Sequence, residues 1–208
     1  MHEDVPPDEP RPAEPPRSSV RALRANGRKV RLRGSFDGFC GIYAVINGLA
    51  QAGWSDGLES EHEARRVFIS CCSALPKRSW PSTAWNRIGK NDLRKMVFKV
   101  AGELPGFPDV FEPFANRKFR YHARFWEKLI AHLGQEDIAC AIVWSQYPTE
   151  QWLVLQHDPR GLRIIDSDPE QPLSTYVLDP SSISSGATIP ETSLWYFDRR
   201  SVILFPKV

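Results

Sequence analysis

Several features are scarce or missing in this chain, and each gap removes a class of function. There are only four cysteines among 208 residues, Cys40, Cys71, Cys72 and Cys140, with no Cys-x-x-Cys pair and no cysteine–histidine ligand spacing. A zinc site and a disulfide scaffold are therefore excluded, and no metal or cofactor is expected. No run approaches the length of apolar sequence that crosses a bilayer, and the first residues are acidic and proline-rich where a secretory signal has a basic start and an apolar stretch. The expectation is a soluble, cytoplasmic protein without a membrane partner. Charge of one sign is also lacking: 27 Lys and Arg stand against 25 Asp and Glu, a formal net charge of +2. That balance makes no overall case for nucleic-acid binding, which would need a local patch.

What is present is ordinary globular chemistry, with 41% hydrophobic and 11% aromatic residues, enough to bury one substantial core. Residues 1–19 are the exception. Pro6, Pro7, Pro10, Pro12, Pro15 and Pro16 alternate with Glu and Asp, a composition expected of a disordered tail, leaving 20–208 as the domain. A basic run follows at Arg21, Arg24, Arg28, Lys29, Arg31 and Arg33. It reads as a solvated edge that balances the acidic tail, with an acidic-surface or nucleic-acid contact as the competing reading.

From Gly34 the pattern becomes helical. The turn-rich stretch Gly34-Ser35-Phe36-Asp37-Gly38-Phe39 leads into Cys40-Gly41-Ile42-Tyr43-Ala44-Val45-Ile46-Asn47-Gly48-Leu49, apolar on most sides and so expected in the core. Amphipathic helices are predicted over Glu59–Leu75, over Asn91–Leu104 with Asn91 or Asp92 as cap, and over Tyr121–Gly134 with Gly134 as stop. The proline- and phenylalanine-rich segment between Leu104 and Arg120 reads as a packed irregular loop. Beyond Gly134 the period falls to two, predicting strands at Ile138–Trp144, Trp152–His157, Leu162–Asp166, Thr175–Leu178, Leu194–Phe197 and Val202–Phe205. Helices followed by an antiparallel sheet make an α+β fold.

Two places carry chemistry. Cys40 stands where a glycine-rich turn meets a buried helix, so unpaired backbone N–H groups and the helix dipole favour its thiolate and could hold an oxyanion. Cys71, Cys72 and Cys140 lie in apolar stretches and read as inert core residues. The second place is Gln151 to Asp168. Asp158-Pro159-Arg160-Gly161 has the residue preferences of a tight turn, so its flanks fold back as a hairpin. With a two-residue loop Gln151 faces Asp168, and Asp166 lies one diagonal step away on the same face; a bulged loop would shift this register by one.

At these residues the chain resembles the papain-like cysteine peptidases in the broad sense, especially the bacteriocin-leader-peptidase-like and deubiquitinase-like branches. Members of that group place Cys-Gly at the start of a central aliphatic helix. A later sheet carries a strand that begins with His before an aromatic, followed by a strand ending in Asp or Asn. The resemblance covers Gly34 to Leu49 and Glu150 to Asp168. It implies a papain-like α+β fold, with Cys40 as nucleophile, Asp166 as orienting acid and position 151 as base. Position 151 is glutamine, which hydrogen-bonds but takes up no proton near neutral pH. The five histidines are His2, His62, His122, His132 and His157, and none precedes Trp152. His157 lies near the turn, far from the base position; His122 follows the proline-rich loop. The oxyanion glutamine common in papain-like enzymes is also missing, with Ser35 and Asp37 the available polar residues. Trp144, Tyr147 and Trp152 are candidates for a peptide cleft or for the core, and Glu150 and Asp168 for alternative acids or surface charges.

Three functions follow as expectations: an impaired or inactive peptidase-like protein that acts on or binds a peptide or ubiquitin-like tail, a purely non-catalytic binding pseudoenzyme, and a thiol hydrolase using a displaced histidine. An adaptor working through the basic run is a fourth. If Gln151 occupies the base site, an imidazole there should lower the Cys40 pKa.

Overall fold

The computed structural model describes residues 24–25, 28–31, 38–54, 58–77, 80, 86–120, 122–147, 149–168, 176–178 and 196–208. The expected tail at 1–19 lies outside them, as do Ser35, Asp37 and His2.

Among the described residues four helices are formed: α1 (Cys40–Ala52), α2 (Glu61–Ala74), α3 (Lys90–Gly102) and α4 (His122–Leu133). α1 has only Tyr43 partly exposed, in keeping with its nearly continuous apolar sequence. Its end is set by Gly53, whose φ of 102° is the left-handed geometry that lets Trp54 N donate to Leu49 O at 3.2 Å. α2 begins two residues later than expected because Ser60 caps it: its Oγ accepts from Glu63 N at 3.1 Å. α3 starts at Lys90 behind Gly89, with no side-chain cap, so Asn91 and Asp92 are helical residues and not its cap.

Strands β1 (Arg24–Ala25) and β2 (Arg28–Lys29) pair only with each other. The main sheet is antiparallel and contains β3 (Ile138–Tyr147), β4 (Gln151–Asp158), β5 (Gly161–Ile165), β6 (Tyr176–Leu178), β7 (Tyr196–Phe197) and β8 (Ile203–Pro206). Its order is β6-β5-β4-β3-β7, and β8 pairs with the first half of β3. The fold is α+β, as the sequence pattern implies.

The sheet is covered on both faces, so β4 and β5 are buried on nearly every residue where the period-two reading expects one exposed face. Cys140, Ile142, Trp152, Val154, Ile165, Ile203 and Phe205 pack with α1, α2 and α3. Ala141, Val143, Leu153, Leu155, Leu162, Ile164 and Leu204 pack with Phe114 and α4 on the other side. A register irregularity between Ile138 and Cys140 puts both Ala139 and Cys140 on the α1 side. The segment between α3 and α4 is a packed loop: Phe111 bridges to Leu204, and Phe114 sits among Phe119, Phe125 and the ring of His132.

The basic run is not a solvated edge at its described end. Arg28 Nη1 donates to Ala50 O at 2.8 Å, at the C-terminal turn of α1 where free carbonyls attract cations. Arg31 exchanges backbone bonds with the Asn47 side chain at 2.8 and 3.0 Å, donates to Leu58 O at 2.9 Å, and pairs with Glu61. These arginines fasten the chain onto α1 and the entry to α2.

Candidate functional site

The head of α1 meets the start of β4. Gly41 is the contact: a Cβ there would lie 2.7 Å from Leu93 Cδ1 and 3.2 Å from both Ile88 Cδ1 and Trp152 Cδ1, so any larger residue forces these side chains to move. Trp152 is fully buried, and its indole Nε1 donates to Ile88 O at 2.8 Å. Cys40 lies beside this seam, buried at 4% exposure, with Sγ 4.0 Å from Gly38 O. Phe39, the residue before it, packs against Phe68 and Trp80. No acidic side chain lies in the first turn of α1, and no side chain caps it.

The hairpin has the expected register. Val154 pairs with Ile165, Leu155 with Ile164, and Asp158 with Gly161, the two-residue-loop arrangement. Gln151 and Asp166 therefore meet: Gln151 Nε2 donates to Asp166 Oδ2 at 2.5 Å and to Thr149 Oγ1 at 2.8 Å. Asp168 N donates to Asp166 Oδ1 at 2.9 Å, fixing the carboxylate from the other side. Gln151 and Asp166 are 4% and 2% exposed.

Cys40 and this pair stand at the same end of the sheet but on different faces. Side chains alternate along a strand. Trp152 and Val154 pack with α1, while Leu153 and Leu155 pack on the α4 side, so Gln151 belongs to the α4 side. The Gln151 amide is spent on Thr149 and Asp166.

No histidine whose side chain is described lies at the base position. His157 is exposed and six residues along β4, at the turn end. His132 packs on Phe114 and hydrogen-bonds Gln135, and His62 is an exposed residue of α2 beside Glu63. His122 is the first residue of α4. Of the other cysteines, burial pushes the thiols of Cys71 and Cys140 well above the ordinary value and raises that of Cys72 as well, in keeping with core roles.

Two partners at the site have no counterpart in the sequence reading. Thr149 is one, although its spacing of two from Gln151 is a same-face signal. Arg87 is the other: it pairs with Glu150, which is thereby a surface ion-pair partner, and stands over the Trp144 ring at 5.9 Å. Trp144 in turn packs on Trp152 at 5.2 Å. The Arg87–Glu150 pair joins residues 63 positions apart and leaves no local trace. Among the described residues no cluster of three His, Cys, Asp or Glu side chains is placed to hold a metal, and no helix is long and apolar enough to cross a membrane.

No family model, curated protein or solved structure matches the chain.

Proposed function

We propose that this protein is a papain-like, peptidase-derived domain that binds an extended peptide or a ubiquitin-like protein tail beside the head of α1 and hydrolyses little or none of it. The observation that carries this reading is the Gln151 side chain. It is bonded to Asp166 and Thr149 and is an amide that takes up no proton near neutral pH, so position 151, which the resemblance assigns to the base, supplies no base. The helix-head cysteine, the antiparallel sheet beneath it and the Gln–Asp contact across the hairpin support the papain-like part of the reading. Phe39, Trp80, Trp144 and Arg87 supply the aromatic and cationic surface that would face a peptide.

The test is an assay of peptide and ubiquitin-like tail substrates with the wild type and Cys40→Ala, run beside a binding measurement on the same peptides. Binding without turnover, equal in the two proteins, is expected. Turnover that disappears in Cys40→Ala would refute the non-catalytic reading and favour the displaced-histidine hydrolase.

A further inference from the structure

The basic patch that the overall charge balance does not reveal lies at the N-terminal end of α4 and the loop before it. Arg117, Lys118, Arg120, Arg124 and Lys128, with Phe119, line a concave site of about 500 Å³. Among the described residues no carboxylate is in that lining, and residues 113–126 contain no Asp or Glu at all. Glu127 is the nearest acid in sequence and lies outside the lining.

Several surface cations elsewhere are paired with carboxylates. Arg66, Arg87, Lys90 and Arg94 are all surface cations, and each meets a carboxylate: Glu63, Glu150, Asp198 and Glu112. Arg117, Lys118, Arg124 and Lys128 meet none among the described residues. Gathering like charges around one concavity costs electrostatic free energy that a bound polyanion would recover. The positions are held firmly. Arg117 N donates to Phe114 O at 3.1 Å, and Arg199 Nη1 donates to Phe119 O at 2.7 Å. The Phe119 ring packs edge-on against Phe114 and Phe125. Arg124 and Lys128 stand one turn apart on α4, four residues being the spacing of neighbours on a helix surface.

The geometry points to a binding site for a multiply charged phosphate compound of nucleotide size, with the phosphates held by Arg117, Lys118, Arg124 and Lys128 and Phe119 supplying the apolar wall. The volume is in the range of small-ligand sites, and guanidinium groups match phosphate oxygens in bidentate geometry. The site is separate from the head of α1: it lies on the α4 side of the sheet and uses none of Cys40, Trp152 or Gln151.

The experiment is calorimetric titration of the full chain with inorganic tripolyphosphate, ATP and a short single-stranded oligonucleotide, at low and raised salt. Tripolyphosphate and ATP are expected to bind, more weakly as salt rises. The double variant Arg124→Glu/Lys128→Glu should weaken both by about tenfold or more, while Arg124→Lys/Lys128→Arg keeps binding. Arg117→Gln/Lys118→Gln, on the loop, gives the same test if charge reversal on α4 disturbs folding, which a thermal melt reports. ATP binding tighter than tripolyphosphate would assign the ligand to nucleotides, and equal binding to the phosphate chain alone. Either supports the site. The inference is overturned if neither phosphate compound binds, if binding is indifferent to these variants, or if only the oligonucleotide binds, which would make the patch a nucleic-acid contact.

Discussion

The β4–β5 hairpin carries a buried carboxylate at each end, and the two are held by opposite means. At the turn, Asp158 receives Arg160 Nε at 3.1 Å, Arg160 N at 3.0 Å and Arg163 Nη2 at 2.5 Å. Hydrogen bonds from the Arg160 side chain and backbone, then from Arg163, hold its carboxyl well below the usual carboxylate range. At the open end, Asp166 is met by the neutral donors Gln151 Nε2 and Asp168 N. One carboxylate is neutralised by guanidinium groups and closes a turn. The other, equally deep, is held by an amide and a backbone N–H.

The seam beneath the open end should be the most costly to disturb. Trp152→Ala removes a fully buried indole that touches Gly41 and donates to Ile88 O. A loss of about 3–5 kcal/mol in denaturant unfolding is expected, the usual range for large aromatics in a core. A loss under about 1 kcal/mol would mean that α1 does not depend on β4 for its seat.

The two carboxylates should then separate on substitution to amide. Asp158→Asn removes the charge that two arginines share and is expected to cost about 1–3 kcal/mol near neutral pH. Because the folded-state pKa of Asp158 lies below the unfolded one, its contribution is complete above about pH 4 and is lost as pH falls toward the depressed folded value. The gap between wild type and Asp158→Asn in thermal melts should therefore narrow on acidification. A gap that stays constant with pH would show that the turn geometry, not the charge, holds this end. Asp166→Asn keeps Oδ1 to accept from Asp168 N, and a flipped Gln151 amide turns its Oε1 to accept from the new Nδ2, so it should cost less than about 1 kcal/mol. An Asp166→Asn cost equal to that at Asp158 would erase the distinction.

How much of this was legible in the sequence depends on whether the cause was local. The hairpin register was legible because a Pro and a Gly at fixed turn positions set the loop, and period two then set every pair, including Gln151 with Asp166. The helix-head cysteine was legible for a similar reason. The strands' two buried faces were not distinguished, because a strand covered on both sides shows no alternation; only the packing of α4 opposite α1 separates Trp152 from Gln151. The basic run at Arg28 and Arg31 looked solvated because its partners, Ala50 O, Leu58 O and Glu61, are 22 to 30 residues away. The patch at Arg117–Lys128 was hidden in a near-zero net charge and a segment read as loop plus helix.

The least change is expected where the resemblance alone would expect the most. Gln151→His restores the base residue at its place in the motif, and an imidazolium facing Cys40 would stabilise the thiolate and speed its alkylation near neutral pH. The geometry argues against that contact. Trp152 lies between, on the α1 side, and an imidazole on the Gln151 face meets Asp166 and Thr149 first. An ion pair with Asp166 would raise the pKa of that histidine by charge attraction, keep it protonated and hold it away from the thiol. Iodoacetamide labelling of Cys40, followed by mass spectrometry, should therefore proceed within about twofold of the wild-type rate across neutral pH. A rise of about tenfold would show that the imidazole reaches around the end of β4. It would also convert the separation of the two faces from a fixed feature into a matter of one side chain.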